Sequence, residues 1–107
     1  MFDLDPAPLL PATVQLTVPG REDKAAVRFV FRHKTRRELD ALQARDDWTD
    51  LQKLDAIIEG WEGVSRKGEP VPYSADALAA LLDNFGPATL EIWDAYETLI
   101  RTGRLGN

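Results

Sequence analysis

The stretch Ala25 to Arg32 places the tightest limit on what this chain can become. Val27, Phe29 and Phe31 fall on one side of an extended backbone and Arg28, Val30 and Arg32 on the other, the period-two signature of a half-buried strand. Thr13 to Val18 repeats the pattern, with Val14, Leu16 and Val18 alternating against Thr13, Gln15 and Thr17. Between the two runs, Pro19-Gly20 and the polar stretch Arg21 to Lys24 supply a turn, so the pair reads as a β-hairpin. A two-stranded ribbon is marginal by itself. The Val14/Leu16/Phe29/Phe31 face must therefore be covered by something else.

Helices downstream provide the cover. Thr35-Arg36-Arg37-Glu38 has the form of a capping box, in which the threonine oxygen and the glutamate carboxylate satisfy each other's orphan amides, and a first helix then turns Leu39 and Leu42 inward. After a break at Asp46 to Thr49, with Asp47 or Thr49 as cap, Leu51, Leu54, Ile57, Ile58 and Trp61 recur at three- and four-residue spacings, which predicts a second helix ending near Gly60 or Gly63. Ser65 to Tyr73 holds two prolines and a glycine and reads as an extended loop. Ser74 caps a third helix carrying Ala77, Leu78, Leu81, Leu82 and Phe85, and Gly86-Pro87 opens a sharp corner into a fourth. That last helix runs to about Thr102 and carries Leu90, Trp93, Tyr96, Leu99 and Ile100 before Gly103 caps it. The expected fold is α+β: an N-terminal β-hairpin packed against about four α-helices in a single domain, as suits 107 residues. Residues 1–11, with Pro6, Pro8 and Pro11, are expected to form a flexible arm, leaving 12–107 as the folded domain.

Composition removes much of enzymology. No cysteine is present and His33 is the one histidine, so disulfides, thiolate nucleophiles, sulfur-based zinc sites and multi-histidine metal sites are excluded. His33 sits between Arg32 and Lys34 with no acidic neighbour to orient it, and Asp3/Asp5 and Asp46-Asp47 have the spacing of caps and solvated loops rather than of facing catalytic carboxylates. No glycine-rich phosphate cradle occurs. No cofactor and no metal are expected. The apolar run Ala77 to Leu82, closed by Asp76 and Asp83, is far shorter than the roughly 20 residues of a membrane span. Met1-Phe2-Asp3-Leu4-Asp5-Pro6 puts acids where an export signal carries positive charge, so a cytoplasmic protein that avoids membranes is expected.

Charge is distributed unevenly. The chain carries 13 basic and 18 acidic residues, a net charge of −5. Arg21 to Arg37 holds seven basic side chains against two acidic ones. Arg28, Arg32, Arg36 and Arg37 thus form a candidate basic patch for nucleic acid or an acidic protein, the reading of a small regulatory adaptor. The net negative charge argues against nucleic acid. Three tryptophans, Trp48, Trp61 and Trp93, point instead to protein contacts. Trp61 and Trp93 fall on helical apolar stripes, where burial is expected, and Trp48 at the helix break is the better exposed anchor.

A resemblance emerges at Ile57-Ile58-Glu59-Gly60-Trp61-Glu62-Gly63-Val64, continues through Ser74 to Phe85, and closes at Ile92-Trp93-Asp94-Ala95-Tyr96. With the apolar/basic strand Val27 to Arg32 placed before them, and in this order, residues 12–107 resemble the tail assembly chaperones of long-tailed bacteriophages and prophages. The resemblance implies a non-enzymatic helper that binds the tape measure protein, keeps it soluble, recruits tail tube subunits and is absent from the finished virion. It is compatible with homo-oligomers. Holding an apolar helical partner needs aromatic or aliphatic patches on an acidic, soluble body, and Trp48, Trp61, Phe85, Trp93 and Tyr96 are the residues assigned to that contact.

Overall fold

The computed structural model describes residues 1–103. Three strands, β1 (Leu9–Leu16), β2 (Ala25–Arg32) and β3 (Ile58–Glu62), form an antiparallel meander in the order β1-β2-β3. Helices α1 (Arg36–Gln43) and α2 (Asp50–Ile57) lie between β2 and β3 in the chain. A two-residue-per-strand hairpin, β4 (Ser65–Arg66) and β5 (Glu69–Pro70), precedes α3 (Ala75–Asn84) and α4 (Ala88–Thr102). The α+β architecture with its N-terminal hairpin and four helices is as expected.

The hairpin pairs Leu9 with Arg32 and Leu16 with Ala25. Ala12, Val14 and Leu16 of β1 and Val27, Phe29 and Phe31 of β2 point into the core, while Thr13, Gln15, Arg28 and Arg32 are exposed on the other face. Strand β1 starts four residues earlier than the alternation at Thr13 indicated, so Leu9, Leu10 and Pro11 of the expected arm are built into the sheet. Pro11 is tolerated because β1 is an edge strand, where a missing N–H breaks no ladder. The arm is further held by the His33 N–H donating to the Pro8 carbonyl at 2.9 Å.

The second helix is shorter than its apolar spacing predicted. It stops at Ile57, Ile58 turns extended at φ −110° and ψ 123°, and the chain continues as β3 against the far edge of β2. The free backbone groups of β2 need partners, and the β-branched Ile58 and the aromatic Trp61 suit a strand. Register shifts between Val30, opposite Gly60, and Phe31, opposite Ile58, leaving Glu59 as the extra residue of a bulge. That bulge turns Ile58 and Trp61, three residues apart, to the same buried face, and Glu59 and Glu62 to the exposed one. Trp61 therefore belongs to a strand, not to a helical stripe. The loop Ser65 to Tyr73 likewise contains the small β4–β5 hairpin, turned by Lys67 (φ 51°) and Gly68 (φ 85°).

The helix starts follow their caps. Thr35 and Glu38 form the expected capping box, Thr49 and Gln52 form a second, and the Ser74 hydroxyl accepts from Ala77 N–H. Gly103 closes α4 in the left-handed conformation, which glycine adopts without penalty.

Packing is organised by aromatic rings. Tyr73, Trp61, Phe29, Phe31, Tyr96 and Trp93 form an unbroken chain with neighbouring centroids 5.0 to 6.2 Å apart. Phe29 and Phe31 stack within β2, and the other contacts are edge-on, the arrangement the ring quadrupoles favour. Tyr96 also works through its hydroxyl, which donates to the Arg32 carbonyl at 2.9 Å and accepts from Lys34 N–H at 3.1 Å. Both backbone groups lie where β2 gives way to α1. Tyr96→Phe keeps the ring and strands these two groups, and urea unfolding should show a loss of about 1–3 kcal/mol; an unchanged midpoint would show that water replaces the hydroxyl.

Candidate functional site

The polar residues singled out in the sequence lie in separate places. His33 is half-buried at the strand-to-helix junction. Asp47 is occupied by Arg45 at 2.7 Å, and Asp3 accepts from the Asp5 N–H in a local turn. Among the described residues no group of three or more potential metal-binding side chains converges, and no helix is long and apolar enough to cross a membrane.

The basic patch is divided by the sheet. Arg28 and Arg32 emerge on the exposed face of β2, where β3 brings Glu62 within 4.0 Å of the first and Glu59 within 2.8 Å of the second. Such exposed pairs add little stability, yet they neutralise the strip that the linear sequence suggested. Arg36 and Arg37 stand apart in the first turn of α1 and have no ion-pair partner among the described residues.

The aromatic residues assigned to partner contact divide into two groups. Tyr96 is fully buried and Trp61 is 8% exposed, with its indole N–H donating to the Val71 carbonyl at 2.9 Å; both are structural, because the sheet needs their rings as cover. Trp48, Phe85 and Trp93 are half-buried. Trp48 is no bare anchor, since the Arg45 guanidinium lies 4.4 Å above its ring.

Helix α4 carries more apolar residues than one face can hold. Ala88, Ile92, Tyr96 and Leu99 form its buried stripe. Leu90, Trp93 and Ile100 form a second, with Leu90 69% and Ile100 37% exposed. The linear pattern names Leu90, Trp93 and Ile100 together with Tyr96 and Leu99 and does not separate the two stripes; the signal for the second is the surplus of apolar residues. Glu97 falls within this second stripe, between Trp93 and Ile100, and Asp94 lies at its edge. Burial pushes the Glu91 carboxyl up, but the Thr17 hydroxyl and N–H and the Lys24 ammonium outweigh it and hold Glu91 below the usual carboxylate range. Glu91 thereby fastens α4 to the end of β1.

A shallow apolar trough lies elsewhere, between the turn end of the hairpin, β4 and α3. Leu16, Val18, Val27, Val64, Leu81 and Phe85 line its main cavity of about 260 Å³. It runs on, past Val64, Leu81 and Phe85, into one of about 140 Å³ beside Arg66. Each is smaller than the roughly 300–1,000 Å³ of small-molecule sites and suits single side chains.

These features define a small α+β domain that presents apolar surfaces. The chain belongs to the phage tail assembly chaperone family, whose model matches residues 1–107 and so takes in the first eleven residues as well. Searches of curated proteins and of solved structures found no match.

The tie between α4 and the hairpin has a defined pH dependence. Because the Glu91 carboxylate is favoured in the folded state, its contribution is full above the free-glutamate value of about 4.3 and is lost as pH falls through the lower folded value. Glu91→Gln should cost about 1–2 kcal/mol at pH 7, with the gap to the parent chain narrowing below about pH 4. Urea titrations at several pH values check this, and a gap constant with pH would show that the charge is not what holds the two elements.

Proposed function

We propose that this protein binds the tape measure protein through the outer stripe of α4, keeps that chain soluble in the host cytoplasm, and brings tail tube subunits to it, without itself catalysing a reaction or remaining in the virion. Family membership supports the general role. The observation that carries the surface is Leu90, which is 69% exposed in a well-formed helix. A large aliphatic side chain held out from a rigid element is an anchor available to an apolar partner at little ordering cost.

Trp93 enlarges the anchor. Its ring is half-buried and braced edge-on against Tyr96 at 6.2 Å, so it is already fixed in one orientation before a partner arrives. Asp94 at the stripe's edge and Glu97 between Trp93 and Ile100 make the surface acidic, which suits a partner helix carrying lysine or arginine with its apolar face.

Co-purification with the tape measure protein of the same phage tests the proposal. Leu90→Asp, a substitution on an exposed position that leaves the core intact, should weaken the complex about 30-fold, as expected for loss of an interface anchor worth about 2 kcal/mol. A parent chain that binds neither tape measure nor tail tube protein would overturn the proposed function; parent binding that survives Leu90→Asp unchanged would overturn the surface.

A further inference from the structure

The first five residues hold three large apolar side chains that nothing covers: Met1 at 128%, Phe2 at 89% and Leu4 at 88% exposure. They alternate with two carboxylates, Asp3 and Asp5, neither of which has an ion-pair partner among the described residues. At the other end of the sheet lies the trough whose apolar walls include Leu16, Val18 and Phe85. Beside it, on the β4–β5 hairpin, are two cations, Arg66 at the end of β4 and Lys67 in the turn, that are also unpaired among the described residues. Apolar side chains and acids on one segment are matched by apolar walls and bases at one site.

The segment cannot reach that site on its own molecule. Pro8 is pinned to His33 at the end of β2, and Phe2 lies six residues before it, a reach of at most about 22 Å when fully extended. The turn at Asp3–Asp5 shortens this further. From Pro8 to Leu16 along strand β1 the distance is about 27 Å, and Leu4 falls much shorter still. We infer that the N-terminal segment docks into the trough of a second copy of this chain, with Phe2 and Leu4 entering the apolar cavities and Asp3 and Asp5 facing Arg66 and Lys67. The contact joins unlike surfaces, so each copy offers one segment and one trough.

Sedimentation of the full chain alone, from micromolar to millimolar concentration, tests this without any tape measure protein, so its outcome is independent of the proposed function. The parent chain should associate as concentration rises. Phe2→Asp with Leu4→Asp, both at exposed positions, should remain monomeric, and so should Val18→Asp. Mixed in equal amounts, the two monomeric variants should form a one-to-one dimer and nothing larger, because one supplies a working trough and the other a working segment. Arg66→Glu with Lys67→Glu, confined to the exposed β4–β5 hairpin, should weaken association about tenfold or more and guards against a folding defect in Val18→Asp. A parent chain that stays monomeric at millimolar concentration, segment variants that associate like the parent, or a mixture that stays monomeric would each overturn the inference.

Discussion

The contact between Phe31 and Tyr96, ring centroids 5.2 Å apart, is the joint on which the rest of this molecule depends. Phe31 belongs to the central strand and Tyr96 to the last helix, 65 positions later in the chain by their numbers. Joining them closes the sheet's apolar face. Because the Tyr96 hydroxyl also bridges the Arg32 carbonyl and the Lys34 amide, one side chain both fills the core and fixes the point at which β2 hands over to α1. The ring chain extends from this joint in both directions, through Phe29 and Trp61 to Tyr73 and through Tyr96 to Trp93. Trp93 is thus held by the same network that stabilises the core, and a surface built on it inherits the core's rigidity.

That arrangement separates the molecule's two faces by role. The outer face of the sheet is polar and locally neutral, with Arg28 and Arg32 answered by Glu62 and Glu59. The helical side carries the apolar surplus, on the outer stripe of α4 and in the trough beside α3. A family member engaged in tail assembly needs to meet other proteins without aggregating. A net charge of −5 over a surface with narrow apolar stripes meets both demands.

The hairpin, the helix caps and the fourth helix were legible from residue pattern because each is specified locally: alternation in Val27 to Arg32, a threonine three residues before a glutamate, a glycine after the last helical turn. Strand β3 was not. Leu54, Ile57, Ile58 and Trp61 have helical spacing, and only the bulge at Glu59, a product of pairing with β2, makes a three-residue step compatible with one face of a strand. Leu9 to Pro11 were concealed by proline, whose place at a sheet edge is decided by the partner strand. The same distinction runs through the functional residues. Burial of Trp61 was legible from its place on an apolar stripe, though the stripe belongs to a strand, whereas Arg28 and Arg32 were visible as a basic cluster but not as half of two ion pairs, since their acidic partners lie about thirty residues away in sequence.

The three tryptophans offer the most direct test, because each indole N–H reports a different environment: Trp61 bonded to Val71 in the core, Trp48 beneath Arg45, and Trp93 on α4. Nuclear magnetic resonance of the three indole signals, followed while tape measure protein is added, reads which surface is occupied. Engagement through α4 requires the Trp93 signal to move strongly while those of Trp61 and Trp48 stay in place. A Trp93 signal that is unmoved while binding saturates would contradict the account.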